Sequence, residues 1–108
     1  MASEEVLQEV REFVAERDWS QFHTPASLAR SIVIESAELL EHFQWNEDFD
    51  RAEVLDELAD VATYALLLAD ALDADLDEIV RAKLTKTRAK YPVEKARGRS
   101  AKYDRLPD

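Results

Sequence analysis

Two stretches of this chain, SIVIESAELL (31–40) and VLDELADVATYALLL (54–68), each set a pair of acids three residues apart inside an apolar run. That spacing places both side chains of a pair on one face of a helix, about one turn apart. Glu35 and Glu38 make the first pair, Glu57 and Asp60 the second. Carboxylates in such company point into or beside a core, where they persist only when paired or bound to a cation. Pairing is poorly served, because Arg30 and Arg51 are the basic residues of these two helices and both stand near a helix start. Residues 39–56 supply the rest of one helix, a turn and the start of the next. An antiparallel hairpin then brings the two acid pairs to a similar height. Four facing carboxylates form an all-oxygen cage for a hard divalent ion, with Mg²⁺ the natural occupant and phosphate the natural second partner. A di-iron bundle would need Glu-x-x-His on a helix. Leu39 stands three residues before His42, and His23 falls in a loop, so that option is discarded.

The rest of the chain fits a helical domain. One Gly and three Pro in 108 residues leave little material for hairpins. Helix 1 is expected from Glu4 to Arg17, capped by Ser3, with Val6, Val10, Phe13 and Val14 on one face. Asp18 to His23 reads as a polar–aromatic loop. Thr24-Pro25 is a helix start, a capping hydroxyl followed by Pro at the first helical position, and helix 2 should run to about Phe43. Asp50 caps helix 3, from Arg51 to Leu72. Helix 4 starts near Asp75 and Glu78 and ends near Lys90, since Pro92 cannot extend it. The segment VATYALLLADAL is apolar around most of its circumference, which a surface helix is not. A short chain can hardly bury such a helix alone, so self-association is expected.

Charge narrows the partners. A formal net charge of −10 argues against binding a nucleic-acid backbone. No run is long and apolar enough to span a bilayer, and the charged start MASEEVLQEV does not read as a signal peptide. The absence of Cys is compatible with a cytoplasmic location. The stretch from Lys83 to Lys102 nevertheless carries eight basic residues against Glu94 alone. Either an anion meets the protein there, or the bases neutralise the acidic body and the end of the last helix. Lys83, Lys86 and Lys90 share one face of helix 4 and suit a polyphosphate. Trp19, Phe22 and Trp45 lie in the loops flanking helix 2. They either cap the core or form a stacking slot for a flat ring, with His23 and Asn46 near its edge. His42 is given no role, and Glu41 and Asp56 are read as solvated.

Four ordered motifs add to this reading. E-x-x-E, a spacer and E-x-x-D are matched by Glu35, Glu38, Glu57 and Asp60. FHTP (22–25), FQW (43–45), ELADVATY (57–64) and K-x-x-x-x-x-x-KYP (83–92) accompany them. Together they resemble the all-α nucleoside triphosphate pyrophosphohydrolases, the MazG-like superfamily, and within it the dCTP pyrophosphatase-like group. The resemblance spans roughly residues 5–98. It implies an oligomeric four-helix bundle, a homodimer or homotetramer, with residues 1–98 as the hydrolase domain and 99–108 as a polar C-terminal tail. It implies that the four acids bind Mg²⁺ and are catalytic, that Lys83 and Tyr64 contact phosphate or sugar, and that His23 and Trp45 help form the base pocket. Family members commonly carry Asn where this chain has Thr87, a position implied to contact substrate. Thr keeps a hydroxyl and loses the amide.

The expected reaction is hydrolysis of a nucleoside triphosphate, dCTP or a modified pyrimidine deoxynucleotide, to the monophosphate and pyrophosphate, as nucleotide-pool house-cleaning. Glu38 is the acid expected to orient the attacking water. A related pyrophosphohydrolase acting on dUTP or phosphoribosyl-ATP is the alternative enzyme. A non-catalytic helical interaction module is the alternative outside enzymology.

Overall fold

The computed structural model describes residues 2–45 and 47–106, with no strand among them. Asn46 lies outside the described residues, as does the side chain of Ser3. Five helices follow in order: α1 Ala2–Glu16, α2 Pro25–Glu41, α3 Arg51–Ala71, α4 Leu76–Lys90 and the single turn α5 Val93–Ala96. Short 3₁₀ turns occupy Ser20–Phe22 and Tyr103–Arg105. Two compact units make up the chain, one running to Leu76 and the other starting at Asp77.

Local chemistry sets the helix starts. Thr24 Oγ1 accepts from Ser27 N at 3.1 Å while Ser27 Oγ accepts from Thr24 N at 3.0 Å, a reciprocal capping box with Pro25 at the first helical position. Asp50 Oδ1 accepts from Ala52 N at 3.0 Å and from Glu53 N at 3.3 Å, satisfying two orphan donors of α3. α1 begins earlier than the sequence suggests, so Ser3 lies inside it. α2 ends two residues earlier, at Glu41, where His42 N donates to Leu39 O and Leu40 O and tightens the last turn. α4 begins at Leu76, directly after Asp75.

In the first unit α2 packs along α3, and α1 touches α3. The α2–α3 pair is antiparallel: His42 meets Glu53 near the connecting turn, and about two turns back along α2, Glu35 meets Glu57 and Asp60 further along α3. Val14, Leu28 and Leu67 form the buried cluster, one from each of the three helices, with Val10, Tyr64 and Leu68 against it. Leu28 is the most enclosed, at 1% exposure. Along the middle of α3 every residue from Val61 to Asp70 except Ala62 is buried or half-buried, in line with its apolar circumference. The outward faces are a different matter: Val33, Ile34 and Leu40 on α2 and Leu55 and Leu58 on α3 stay exposed. No helix among the described residues is long and apolar enough to cross a membrane.

Candidate active site

The α2–α3 hairpin brings three of the four acids together. Carboxylate oxygens of Glu35, Glu57 and Asp60 lie within 4.8 Å of one another. Glu38 stands outside that set yet close enough to act on both glutamates. Glu35 is pushed up to about 7, first by burial, then by carboxyl hydrogen bonding to Glu38, then by the charges of Glu38, Asp60 and Glu57. Glu57 is raised as well, by burial and by the charges of Glu38 and Asp60, with Glu35 and His42 pulling the other way. Oε2 of Glu35 and Oε2 of Glu57 are shielded from solvent and have no hydrogen-bond partner. None of the four acids has a Lys or Arg ion pair among the described residues.

Carboxylates that are shielded, mutually repelling and without a hydrogen-bond donor favour a cation among them. Donors that are all oxygen select a hard ion. Oxygens 2.0–2.6 Å from a common ion stand roughly 4–5 Å apart across the coordination sphere, which the observed spread matches. The cluster can therefore hold a metal ion.

Beside the cluster lies a cavity of about 170 Å³ lined by Val10, Phe13, Val14, Trp19, His23, Asp60, Thr63, Tyr64 and Leu67. Asp60 belongs to both the acid set and the cavity wall. Tyr64 follows it one turn later on α3, so the same helix face carries acid and ring. Trp19 meets Phe13 edge-on, with ring centroids 5.6 Å apart, and the Arg17 guanidinium covers Phe13 at 3.8 Å. His23 closes the first turn after the 3₁₀ segment, its N–H donating to Ser20 O at 3.1 Å. It also lines a second cavity of about 330 Å³, bounded at one side by Arg11 and Asp70.

His23 and Tyr64, both expected from the sequence, thus share one cavity with Asp60. Trp45 does not join them: it sits in the α2–α3 loop at 86% exposure and lines neither cavity. Lys83, Lys86 and Lys90 are exposed on α4 in the second unit, and the Thr87 hydroxyl donates back to Lys83 O at 3.0 Å. Phe13 and Thr63 are among the cavity residues that sequence reading did not assign to a site, with Val10, Val14 and Leu67. Thr63 could have been found by its place three residues after Asp60, on the same face. Phe13 was hidden inside the apolar stripe of α1, where lining a cavity and filling a core give the same period.

Comparison with known proteins places the chain in a family. A sequence model of the MazG-like family matches residues 30–106. The protein dCTP pyrophosphatase 1 of Bos taurus is 39% identical, over 98% of this chain and 71% of its own. Its counterpart in Homo sapiens is 40% identical, over 96% and 69%. A crystal structure of a pyrophosphatase from Archaeoglobus fulgidus superposes with a TM-score of 0.79 at 42% identity, over 85% of this chain and 94% of that one. An acid-lined helical hairpin, a family match across most of its length and relatives this similar place the chain in one group: it belongs to the MazG-like family.

Proposed function

We propose that this chain is a Mg²⁺-dependent pyrophosphohydrolase that converts dCTP, or a modified pyrimidine deoxynucleoside triphosphate, to the monophosphate and pyrophosphate. That it is a nucleoside triphosphate pyrophosphatase follows from its dCTP pyrophosphatase relatives and its pyrophosphatase structural neighbour. The observation that carries the site is Asp60, shared between the three-acid cluster and the ring-lined cavity.

Glu35, Glu57 and Asp60 would hold Mg²⁺, with Glu38 completing the set. That ion would offset the charge of the triphosphate and supply Lewis acidity to the site. Glu38, outside the closest three, orients the attacking water and accepts its proton on a carboxylate oxygen. Water adds to the α-phosphorus as the bond to the bridging oxygen breaks, and pyrophosphate leaves. The rings of Tyr64 and His23, which share a cavity with Asp60, receive the nucleoside. Lys83, Lys86 and Lys90 take the phosphates, and Thr87 touches substrate through its hydroxyl. Residues 1–98 form the hydrolase domain and 99–108 its tail.

The assembly is a homodimer or homotetramer, supported by the exposed Val33, Ile34 and Leu40 on α2. Its place is the cytoplasm, where it clears unwanted deoxynucleotides from the pool.

The test is pyrophosphate release from a panel of canonical and modified nucleoside triphosphates, in Mg²⁺ and in EDTA. Release confined to Mg²⁺ and to dCTP or modified pyrimidine deoxynucleotides is expected, with Glu38→Gln abolishing it. Release from dUTP alone redirects the specificity, and silence on every nucleotide leaves a helical interaction module.

A further inference from the structure

The segment after α5 is polar, yet it folds back on the end of α4. Gly98 adopts φ +76°, in the left-handed region that glycine enters without strain, and Arg99 N donates to Ala96 O at 3.0 Å across the turn. The chain then reaches the Tyr103–Arg105 turn. There the Tyr103 ring meets Tyr91 edge-on, with centroids 6.3 Å apart and planes at 86°. Lys90 Nζ, from the last residue of α4, lies 4.8 Å from the centroid of the same Tyr103 ring. Lys90 and Tyr103, with Lys95, Asp104 and Leu106, line a cavity of about 230 Å³.

We infer that Tyr103 is a positioning residue, whose ring holds the Lys90 ammonium in place for an incoming phosphate. The inference rests on the reading above, in which Lys90 contacts the triphosphate. A lysine loses much rotamer freedom when a ligand pins it, and a partner that restrains it beforehand removes part of that cost. An aromatic face suits the task better than a carboxylate. It attracts the charge without neutralising it and leaves N–H donors for phosphate oxygens. Asp104 lines the same cavity, but no ion pair joins it to Lys90 among the described residues. Tyr91 braces the ring from its edge, so the tail tyrosine is itself held. The competing role for Lys90 is structural, its charge complementing the C-terminal end of α4.

Steady-state kinetics on dCTP with Mg²⁺, together with thermal melts, separate these roles for Lys90→Met, Tyr103→Leu, Tyr103→Phe and the double variant Lys90→Met/Tyr103→Leu. Tyr103 is half-exposed, so its replacement leaves the helices standing. Lys90→Met is expected to raise KM. Tyr103→Leu should raise KM about two- to five-fold with kcat unchanged, the range a solvent-exposed cation–ring contact supplies. Tyr103→Phe should restore it, and Tyr103→Leu should add nothing once Lys90 is gone. Binding of inorganic tripolyphosphate, measured by calorimetry, should weaken in parallel. A raised KM in Lys90→Met with none in Tyr103→Leu overturns the inference and leaves the phosphate role of Lys90 intact. The same KM rise from Tyr103→Leu with and without Lys90 also overturns it. Unchanged KM in Lys90→Met, with a lowered melting temperature, removes Lys90 from the substrate site and the inference with it.

Discussion

Glu35 on α2 and Glu57 on α3 each hide one oxygen, Oε2, from solvent and offer it no hydrogen-bond donor. A buried acceptor without a partner costs more than an ordinary hydrogen bond returns. Two of them, side by side with Asp60 and Glu38, do not arise from packing needs, because apolar residues of similar size would fill the hairpin at lower cost. The four acids therefore cost the hairpin stability, and a cation among them would offset that cost.

This cost has a pH signature. Glu35 titrates near 7 in the folded chain against about 4.5 when unfolded, so folding is favoured where the group is protonated. The advantage is lost as pH rises from the unfolded value through about 7. Melts in EDTA at several values between about pH 5 and pH 8 should show the wild type falling relative to the isosteric Glu35→Gln variant. Mg²⁺ should restore the wild type at the upper end and do little for the variant, because cation and proton compete for the same oxygens. Parallel melting curves for the two proteins would remove Glu35 from the site.

Burial makes a plainer prediction at Leu28. It is enclosed to 1% exposure between Val14 of α1 and Leu67 of α3. Leu28→Ala should cost about 2–5 kcal/mol, lowering the melting temperature by on the order of 10 °C or more. A loss under a few degrees would mean that α1 does not close over the hairpin in solution.

Much of this arrangement was legible before the structure. Thr24-Pro25 and Asp50 announced two helix starts because capping is local, acting through a side chain two or three residues from the donor it satisfies. The acid pairs announced a shared face because helical spacing is also local. What stayed hidden depends on contacts between residues distant in sequence. Arg11 grips Asp70 from another helix, and His42, given no role, stands 3.8 Å from Glu53 across the turn. A period reveals which face is apolar, never which side chain arrives opposite it. The polar composition of the tail gives no sign of a partner, yet one ring, Tyr103, ties it to α4.

The Arg11–Asp70 pair has its own test. Arg11 Nε donates to Asp70 Oδ2 at 3.0 Å, and a second guanidinium nitrogen reaches Oδ1, a two-pronged grip between α1 and α3. The pair, chiefly its hydrogen bonding, holds Asp70 below the ordinary carboxylate value of about 3.8. Its stabilisation is present above that value and is lost as pH falls through the folded one. Arg11→Met should melt below the wild type at neutral pH in low salt. The gap should narrow in molar salt, and shrink in acid as the pH falls below about 4 and through the lowered folded value. A gap that survives both would assign the effect to the stem of the arginine rather than its charge.

Trp45 separates function from fold most cleanly. At 86% exposure it contributes almost nothing to the packing of its own chain, so Trp45→Ala should leave the melting temperature unchanged. An indole displayed this far into water leaves its face available to an occupant. If that occupant is the substrate base, the loss of one stacked ring should raise KM for dCTP several-fold, in the range set by aromatic pairs, while kcat holds. Dilution distinguishes the other occupant. A tryptophan covered by a second copy of the chain would instead shift the oligomer toward smaller species in light scattering, with KM following the assembly state. Unchanged kinetics and unchanged mass together would return Trp45 to the surface and leave the base to the cavity of Trp19, His23 and Tyr64.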